Sequence, residues 1–193
     1  METLRDTSTV DASTRQVRVC HLMSADLWAG AEVQVRTMAS HLRGCRELQL
    51  MVVLLNDGRL ARELRLLGID TVTLDERRQS SWELVRRVTC ILRANRVDIL
   101  HTHRYKDTVL GALAAKLAGV PHLVRTMHGM PEPMEGWAGV KFGAYDVFDR
   151  AALWCAADRI VAVSREMAET LRGRGYRRSA IVAIHNGLDL AAV

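Results

Sequence analysis

The sequence predicts an α/β fold in which a doubly wound parallel sheet of about seven strands carries helices on both faces. Short apolar runs rich in β-branched residues alternate along the chain with segments whose apolar residues recur at helical spacing. Continuous apolar strands are typical of a parallel sheet that is buried on both faces. The 193 residues suit one domain with a full core, and the content of 49% hydrophobic and 25% charged residues is that of a packed globular protein.

The first half of the chain contains three strand-and-helix units. They read, in order, VRVCHLM and AEVQVRTMASHLRG, then LQLMVVLL and GRLARELRLLG, then DTVTLD and SSWELVRRVTCILRANR. Gly44 and Gly68 are placed to end the first two helices. Ser81 is the predicted N-cap of the third helix, because a serine oxygen can accept from the free backbone N–H groups of a first turn.

The second half continues the alternation. Its strands are VDILHTH, HLVRTMHG, RIVAVS and AIVAIHNG, and its helices are KDTVLGALAAKLAGV, FGAYDVFDRAALWCAA and REMAETLRGRG. Ser164 is the predicted N-cap of the last helix, and the absence of a G-x-S-x-G pattern around it argues against a serine hydrolase. The proline- and glycine-bearing segment 130–145 is either a lid that contacts a substrate or a plain connector.

The charge of the chain indicates which binding partners to expect, and its cysteines indicate the redox environment. The net charge of +5 comes mostly from arginine, with a group on the third helix at Arg86, Arg87, Arg93 and Arg96. This group is either a solvated helix face or a contact for acidic lipid headgroups or a phosphorylated substrate. No basic element with interleaved aromatic residues is present, so we expect no nucleic-acid partner. The four cysteines form no C-x-x-C pair and suit buried, reduced thiols in the cytoplasm.

The loop after the first strand is a candidate ligand site, because ligands of doubly wound sheets bind beyond the carboxyl ends of the strands. It reads SADLWAGAE, with Gly30 directly before Ala31 and Glu32 at the start of a helix. A glycine allows close backbone approach, and a helix N-terminus offers N–H groups to phosphate. The pattern is not G-x-G-x-x-G, which argues against a nicotinamide dinucleotide. A plain loop glycine is the alternative.

Histidines end the fourth and fifth strands. His101 and His103 in HTH point to the same side of their strand, beside Arg104 and Tyr105. A zinc pair would need a third ligand that the spacing does not reveal, so a polar pair at the lip of a cleft is favoured and no metal is expected. His128 in RTMHG places an imidazole at the same edge of the sheet, either as a substrate contact or as a structural histidine bonded to backbone.

Five motifs together carry a family resemblance. AGAE, DILHTH, RTMHG, ADRIVAVS and IHNGLD, spread over residues 17 to 189, resemble in order and spacing the N-terminal domain of family 4 glycosyltransferases of the GT-B fold. The resemblance implies a Rossmann-like domain that faces a second domain across a cleft. In such enzymes the N-terminal domain receives the acceptor and the C-terminal domain grips a nucleotide-sugar donor. It also implies transfer with retention of configuration, with no cofactor and generally no bound metal.

The resemblance implies roles for individual residues. His128 would hydrogen-bond the donor sugar, and His103 and Arg104 would border the acceptor side of the cleft. The substrate-binding positions implied by the same motifs are Gly30, Ala31, Glu32, Thr126 and Gly129, and the start of the interdomain linker is Asn186 and Gly187. Ala29 stands where the family usually has the first glycine of a pair, and it fits only if its φ is negative.

The predicted organisation is therefore a lead-in without fixed structure at residues 1–16, the acceptor-side domain at 17–187 and the beginning of a linker at 188–193. The donor-binding domain would come from a longer chain or a separate subunit, and we expect no transfer by this chain alone. No apolar run approaches the roughly 18 residues of a membrane span, so membrane contact would be peripheral, at the inner face. Two alternatives remain: a stand-alone binding or regulatory module, and half of a GT-B-fold sugar-nucleotide epimerase.

Overall fold

A computed structural model describes residues 15–25, 28–129, 147 and 149–187. The strands are β1 (Val17–Met23), β2 (Leu48–Leu54), β3 (Asp70–Thr73), β4 (Ile99–Thr102), β5 (His122–Met127), β6 (Arg159–Ala162) and β7 (Ile181–Ala183). The helices are α1 (Gly30–Leu42), α2 (Arg59–Leu66), α3 (Ser81–Ala94), α4 (Tyr105–Ala118), α5 (described over 149–156) and α6 (Arg165–Gly173). A 3₁₀ turn, Arg178–Ala180, precedes β7.

All seven strands pair in parallel in one sheet of order β3-β2-β1-β4-β5-β6-β7. The chain moves outward from β1 to β3 and then returns to the other side of β1, where β4 begins the second half. The direction of winding therefore reverses between β1 and β4. In open parallel sheets a crevice forms at this switch point, beyond the carboxyl ends of the strands.

Helices cover both faces of the sheet, as the sequence predicts. On one face α1 and α2 pack Val35, Leu60 and Leu64 against Val52 and Leu54 of β2. On the other face α3 to α6 pack against the strand side chains that point to that side, and together they form the larger hydrophobic cluster. Its members include Leu22, Met51, Val53, Leu84, Val88, Leu92, Leu100, Leu153 and Leu171. Because strand residues alternate between two buried faces, the strands read as unbroken apolar runs.

The N-cap of α3 is Ser80, so the prediction of Ser81 is wrong. The Ser80 hydroxyl oxygen accepts from the Glu83 N–H at 3.3 Å, and the Glu83 carboxylate accepts from the Ser80 N–H at 2.7 Å. Ser81 is the first helical residue. A glutamate lies three residues after Ser80 but not after Ser81, and this reciprocal arrangement distinguishes the two serines.

Other local predictions are confirmed. Ser164 caps α6 by accepting from the Met167 N–H at 3.0 Å. Gly68 follows α2 with a φ of 73°, a left-handed conformation that favours glycine. All four cysteines are free thiols, but the prediction that they are buried is right only for Cys20: Cys45 is half-buried, and Cys90 and Cys155 are exposed.

Several predictions fall on residues that the structure does not describe: most of the lead-in (1–14), the loop 130–145 and the predicted linker 188–193. The last two residues of the lead-in are described. Arg15 pairs with Asp98, and the Gln16 amide donates to the Arg46 carbonyl at 2.6 Å. Within the described ranges no helix combines the length and apolar character that crossing a bilayer requires.

Candidate functional site

A cavity of about 260 Å³ lies at the carboxyl edge of the sheet, next to the switch point between β1 and β4. One wall comes from α1, the floor from the ends of β4, β5 and β6, and the remaining side from the segment that follows β7. The lining residues are Gln34, Val35, Met38, His101, His103, Thr126, His128, Val161, Val163, Ile184, His185, Asn186 and Gly187. The cavity therefore joins residues from distant parts of the chain.

Four histidines meet beneath and beside this cavity. His21 on β1 is in register with His101 on β4, and His103 and His128 follow the ends of β4 and β5. The Nδ1 atom of His21 is hydrogen-bonded to Nε2 of His103 at 2.9 Å, and Nδ1 of His103 is bonded to Nε2 of His128 at 3.0 Å. His101 stacks on His103, with ring centroids 4.5 Å apart, and bonds through Nε2 to the Thr126 hydroxyl at 2.7 Å. The prediction that His101 and His103 share a side is confirmed.

The environment keeps these imidazoles neutral. Burial lowers the pKa of His21 to about 4. Burial, with smaller contributions from the Arg125 and Arg104 charges, lowers the pKa of His128 to about 4. The pKa values of His101 and His103 lie well below the ordinary value, first because of burial and then because of neighbouring histidines and Arg125. At neutral pH each ring therefore carries one N–H donor and one acceptor nitrogen.

The geometry suits hydrogen bonding better than metal binding. The nearest ring nitrogens of His21, His101 and His103 lie within 4.8 Å of one another. However, the His103 ring is inclined by only 22° to His21 and by 23° to His101. An imidazole lone pair lies in the plane of its ring, so nearly parallel stacked rings do not direct their lone pairs to one point. Both nitrogens of His103 are also already engaged in hydrogen bonds.

A second group of predicted residues lies at the start of α1. Ala29 has a φ of −133°, so alanine fits there without strain. Gly30 is exposed, and an added Cβ would meet no atom within 4 Å among the described residues. Ala31 is half-buried. Glu32 is fully buried, accepts from the Ala29 N–H at 3.2 Å and forms an ion pair with Arg104.

The buried Glu32 carboxylate holds Arg104 at the end of β4. Only the glutamate half of a capping box exists at α1, because the Ala29 side chain has no acceptor. Any influence of Glu32 on a ligand would therefore pass through the Arg104 guanidinium or the helix backbone. The substrate-binding role of Glu32 stays a prediction.

The loop that follows β1 is anchored from α4 by Asp107. The buried Asp107 carboxylate accepts from the Ser24 N–H at 3.0 Å and from the Ser24 hydroxyl at 2.7 Å. Burial raises the pKa of Asp107 to about 6, although the Ser24 bonds and the Arg125 and Arg104 charges oppose the rise. Asn56 accepts from the Ala25 N–H at 2.9 Å. These contacts fix the positions of Ser24 and Ala25 directly after β1.

The predicted site residues fall into two neighbouring groups. His103, Thr126 and His128 line the cavity together with Asn186 and Gly187, whereas Gly30, Ala31, Glu32 and Arg104 gather at the start of α1. The two predicted linker residues lie over the cavity, where the Gln34 amide donates to the Gly187 carbonyl at 3.3 Å. Gly129 is exposed beside His128. The roles assigned to all of these residues stay predictions.

Four residues at or next to the candidate site were not predicted from the sequence: His21, Gln34, Asp107 and Arg125. His21 lies between the apolar residues Cys20 and Leu22, which is a usable signal, but only the pairing of β1 with β4 brings it to His101 and His103. Arg125 is buried on the opposite face, where it donates to the Thr108 hydroxyl at 2.5 Å. A charged residue in the middle of a predicted strand was likewise visible, but its partner Thr108 on α4 was not.

Comparison with known sequences identifies a family profile. The profile described as Glycosyltransferase Family 4 matches residues 28–192. Over 101 residues, 52% of this chain, the sequence is 35% identical to the UDP-Gal:alpha-D-GlcNAc-diphosphoundecaprenol alpha-1,3-galactosyltransferase of Escherichia coli. The matched region covers 26% of that enzyme.

Solved structures share the fold at low sequence identity. Anabaena HepE in complex with UDP-glucose superposes with a TM-score of 0.75 at 21% identity, over 91% of this chain and 45% of HepE. A UDP-N-acetylglucosamine 2-epimerase superposes with a TM-score of 0.67 at 15% identity, over 89% of this chain and 49% of the epimerase. These similarities establish the fold alone. The chain spans about a quarter of the E. coli enzyme and just under half of each of these two structures.

Proposed function

Because the family profile matches most of its length, the chain belongs to glycosyltransferase family 4, and we propose that it is the acceptor-side half of a retaining transferase. The enzyme would move a sugar from a nucleotide-sugar to a glycan or lipid-linked acceptor. A C-terminal donor-binding domain, in a longer chain or a separate subunit, would complete the site. Support for the second domain comes from the two solved structures above, of which this chain matches just under half.

The observation that carries the proposal is His128 in the wall of the cavity at the carboxyl edge of the sheet. Its pKa of about 4 means that the ring is neutral at physiological pH. A neutral imidazole is a poor general acid but a good hydrogen-bond partner for a sugar hydroxyl. We assign His128 the role of orienting the donor sugar near the bond that breaks, with His103 behind it and Thr126 beside it.

The helix N-terminus and the guanidinium at the start of α1 support binding of the donor diphosphate. Gly30 is exposed at the N-terminus of the helix, and the Arg104 guanidinium lies close by, ion-paired with Glu32. A helix N-terminus and an arginine both stabilise phosphate charge. The proposal therefore includes neither a metal nor another cofactor.

A lipid-linked acceptor would place the protein at the inner face of the membrane. Four arginines on and just after α3, Arg86, Arg87, Arg93 and Arg96, are exposed, as is Trp82 on the same helix. Such a surface can contact acidic headgroups. Co-sedimentation with vesicles of anionic lipid, compared with neutral vesicles, measures this contact. Equal binding to both would remove the membrane part of the proposal.

A two-domain protein tests the function. The chain is fused to the C-terminal half of the E. coli galactosyltransferase, and transfer of labelled galactose from UDP-galactose to the diphosphoundecaprenol-linked acceptor of that enzyme is measured. We expect transfer by the fusion and none by the 193-residue chain alone. His128→Ala in the fusion should lower the rate by about 10²-fold, the usual contribution of a group that contacts the reacting centre.

The matched control for that substitution is His122→Ala. His122 is the first residue of β5, at the opposite edge of the sheet from the cavity, and its side chain is exposed beside Asp158. It should leave the transfer rate unchanged. Robust transfer by the chain without its partner would refute the half-enzyme proposal, and a normal rate for His128→Ala in a folded protein would refute the role of His128.

The epimerase alternative rests on the similar fold of UDP-N-acetylglucosamine 2-epimerase. The family profile favours a transferase. If the fused protein converts UDP-N-acetylglucosamine to its 2-epimer and consumes no acceptor, the epimerase function replaces the proposal. If neither reaction occurs while the chain still binds the acceptor, a binding or regulatory module is the better description.

A further inference from the structure

The segment that leaves β1 is held from the side of β2 as well as from α4. Asn56, two residues after β2, accepts from the Ala25 N–H at 2.9 Å through its Oδ1 atom. The amide group of the same side chain donates to the Glu76 carboxylate at 2.6 Å, so both of its polar ends are engaged. Ala25 is only 3% exposed. Loss of the Asn56 oxygen would therefore leave a buried N–H without its acceptor, which folded proteins rarely tolerate.

Gly58 allows this segment to come close to the start of α2. A Cβ added at Gly58 would lie 2.8 Å from the Ala25 carbonyl oxygen, a separation that real Cβ atoms essentially never show. The backbone of Gly58 is extended, with a φ of −169°, which any residue can adopt. The close approach of the Ala25 backbone, and not conformational freedom, is therefore what requires glycine here.

The residue after Gly58 contacts the other end of the same loop. The guanidinium carbon of Arg59 lies 4.2 Å from the centre of the Trp28 ring, which is a cation–π contact. Trp28 directly precedes Ala29, the N-cap residue of α1. The start of α2 thus meets the connection between β1 and α1 both at Ala25 and at Trp28.

A side chain at position 58 should displace the loop and not the helix. In α2, Leu60, Ala61 and Leu64 are packed into the hydrophobic cluster, and each is at most 1% exposed. The Ala25 N–H is held by a single side-chain hydrogen bond. Moving Ala25 therefore disturbs fewer packed atoms than moving the whole helix.

We propose that Asn56 and Gly58 are positioning residues for the donor: they set the place of Ala25, from which the loop leads to the start of α1. That the start of α1 meets the donor diphosphate rests on the proposed function. Neither Asn56 nor Gly58 lines the cavity beside His128. Each would therefore act only through the path of the loop.

Amide hydrogen exchange of the 193-residue chain, followed by nuclear magnetic resonance, tests the positioning without any substrate. Asn56→Ala removes the acceptor of the Ala25 N–H. Exchange of that amide should become about threefold to tenfold faster relative to the amide of the buried Leu100 in β4, which is the weight of one hydrogen bond. Gly58→Ala should have a similar effect, because it pushes Ala25 away from Asn56.

The matched controls lie at the opposite edge of the sheet. Asn95→Ala removes an amide that donates to the Ile91 carbonyl at the end of α3, at 2.9 Å. Gly173→Ala adds a methyl group at the end of α6, where no atom of the described residues lies within 4 Å. Both should leave the relative exchange of Ala25 unchanged.

Unchanged exchange of Ala25 in folded Asn56→Ala protein would overturn the role of Asn56, and the same result in folded Gly58→Ala protein would overturn that of Gly58. If Gly58→Ala does not fold, Asn56→Ala still decides whether the end of β2 positions the loop.

Transfer kinetics of the two-domain fusion test whether this placement serves the donor. Asn56→Ala and Gly58→Ala should each raise the KM for UDP-galactose by about tenfold, the weight of one charge-assisted hydrogen bond, and leave the KM for the lipid-linked acceptor unchanged. Partial unfolding by itself would lower kcat and leave both KM values alone. An unchanged donor KM in a variant whose Ala25 exchange has risen would overturn the donor role. If the parent fusion transfers no sugar, the proposed function fails, and the exchange measurement still decides whether Asn56 and Gly58 position Ala25.

Discussion

The ion pair between Glu32 and Arg104 should respond unequally to the loss of its two partners. The Glu32 side chain is fully buried, whereas the Arg104 side chain is 31% exposed. If Arg104 is replaced by Met, a carboxylate remains in the interior without its cation. If Glu32 is replaced by Gln, the guanidinium can turn towards water, and the new amide still offers an oxygen to the Ala29 N–H. Arg104→Met should therefore be the more damaging substitution.

The magnitudes follow from these exposures. Breaking a buried pair by removing one partner costs about 3–5 kcal/mol, and the Ala29 N–H that still solvates Glu32 places Arg104→Met near the lower end, at about 3 kcal/mol. Glu32→Gln loses only one charge-assisted bond to a partly solvated partner, which amounts to about 1 kcal/mol. The double variant removes the stranded charge, so the two substitutions should couple by about 2 kcal/mol in the stabilising direction.

Urea unfolding of the four proteins, followed by the fluorescence of the four tryptophans, measures the cycle. The slope of the unfolding free energy against urea should be the same for all four, since none of the changes alters the buried core. If Arg104→Met costs no more than Glu32→Gln, Glu32 is not desolvated to the degree that its burial indicates. If the coupling is near zero, the pair does not hold Arg104 at the end of β4.

Three further predictions concern capping, a buried acid and the donor loop. Ser80→Ala should lower the unfolding free energy by about 1 kcal/mol in urea melts, whereas Ser81→Ala should change it far less; equal effects would contradict the capping role of Ser80. The pKa of Asp107 rises from 3.8 to about 6 on folding, so its protonated form stabilises the fold at low pH and this contribution is lost as the pH rises between those values. As the pH rises across that range, the parent should therefore lose about 3 kcal/mol of unfolding free energy relative to Asp107→Asn. Parallel pH profiles of the two proteins would contradict this. Gly30→Ala should leave stability within about 0.5 kcal/mol of the parent, because no atom of the described residues lies within 4 Å of the new methyl group, yet weaken UDP-sugar binding by the two-domain fusion. Unchanged affinity in calorimetry would mean that the donor does not approach the Gly30 backbone.

Local sequence signals predicted much of the fold. Apolar runs such as VRVCHLM and LQLMVVLL correspond to β1 and β2, and the glycine in RLLG ends α2. These features depend on residues within one element, where periodicity and turn chemistry act directly. The N-cap of α3 was missed although the glutamate at position 83 identifies Ser80. The spacing of three residues between Ser80 and Glu83 is a local signal, so no long-range contact is needed to explain the cap.

The candidate site was only partly accessible from the sequence. His103 and His128 were selected because each directly follows a strand, and parallel strands direct their carboxyl ends to one edge of the sheet. His21 was not selected, because nothing within β1 shows which strand will lie beside it. Gln34 and Asp107 have the same difficulty, since their partners Gly187 and Ser24 lie far away along the chain.

The sequence by itself determined that this protein is a parallel α/β domain, and its motifs predicted the family to which it belongs. The fold class follows from side-chain periodicity over a few residues, and the family follows from short motifs and their order along the chain. Only the tertiary structure decided that β1 lies beside β4, and thereby that His21, His103 and His128 form one hydrogen-bonded chain. Strand order depends on contacts between segments tens of residues apart, which spacings within one element do not encode.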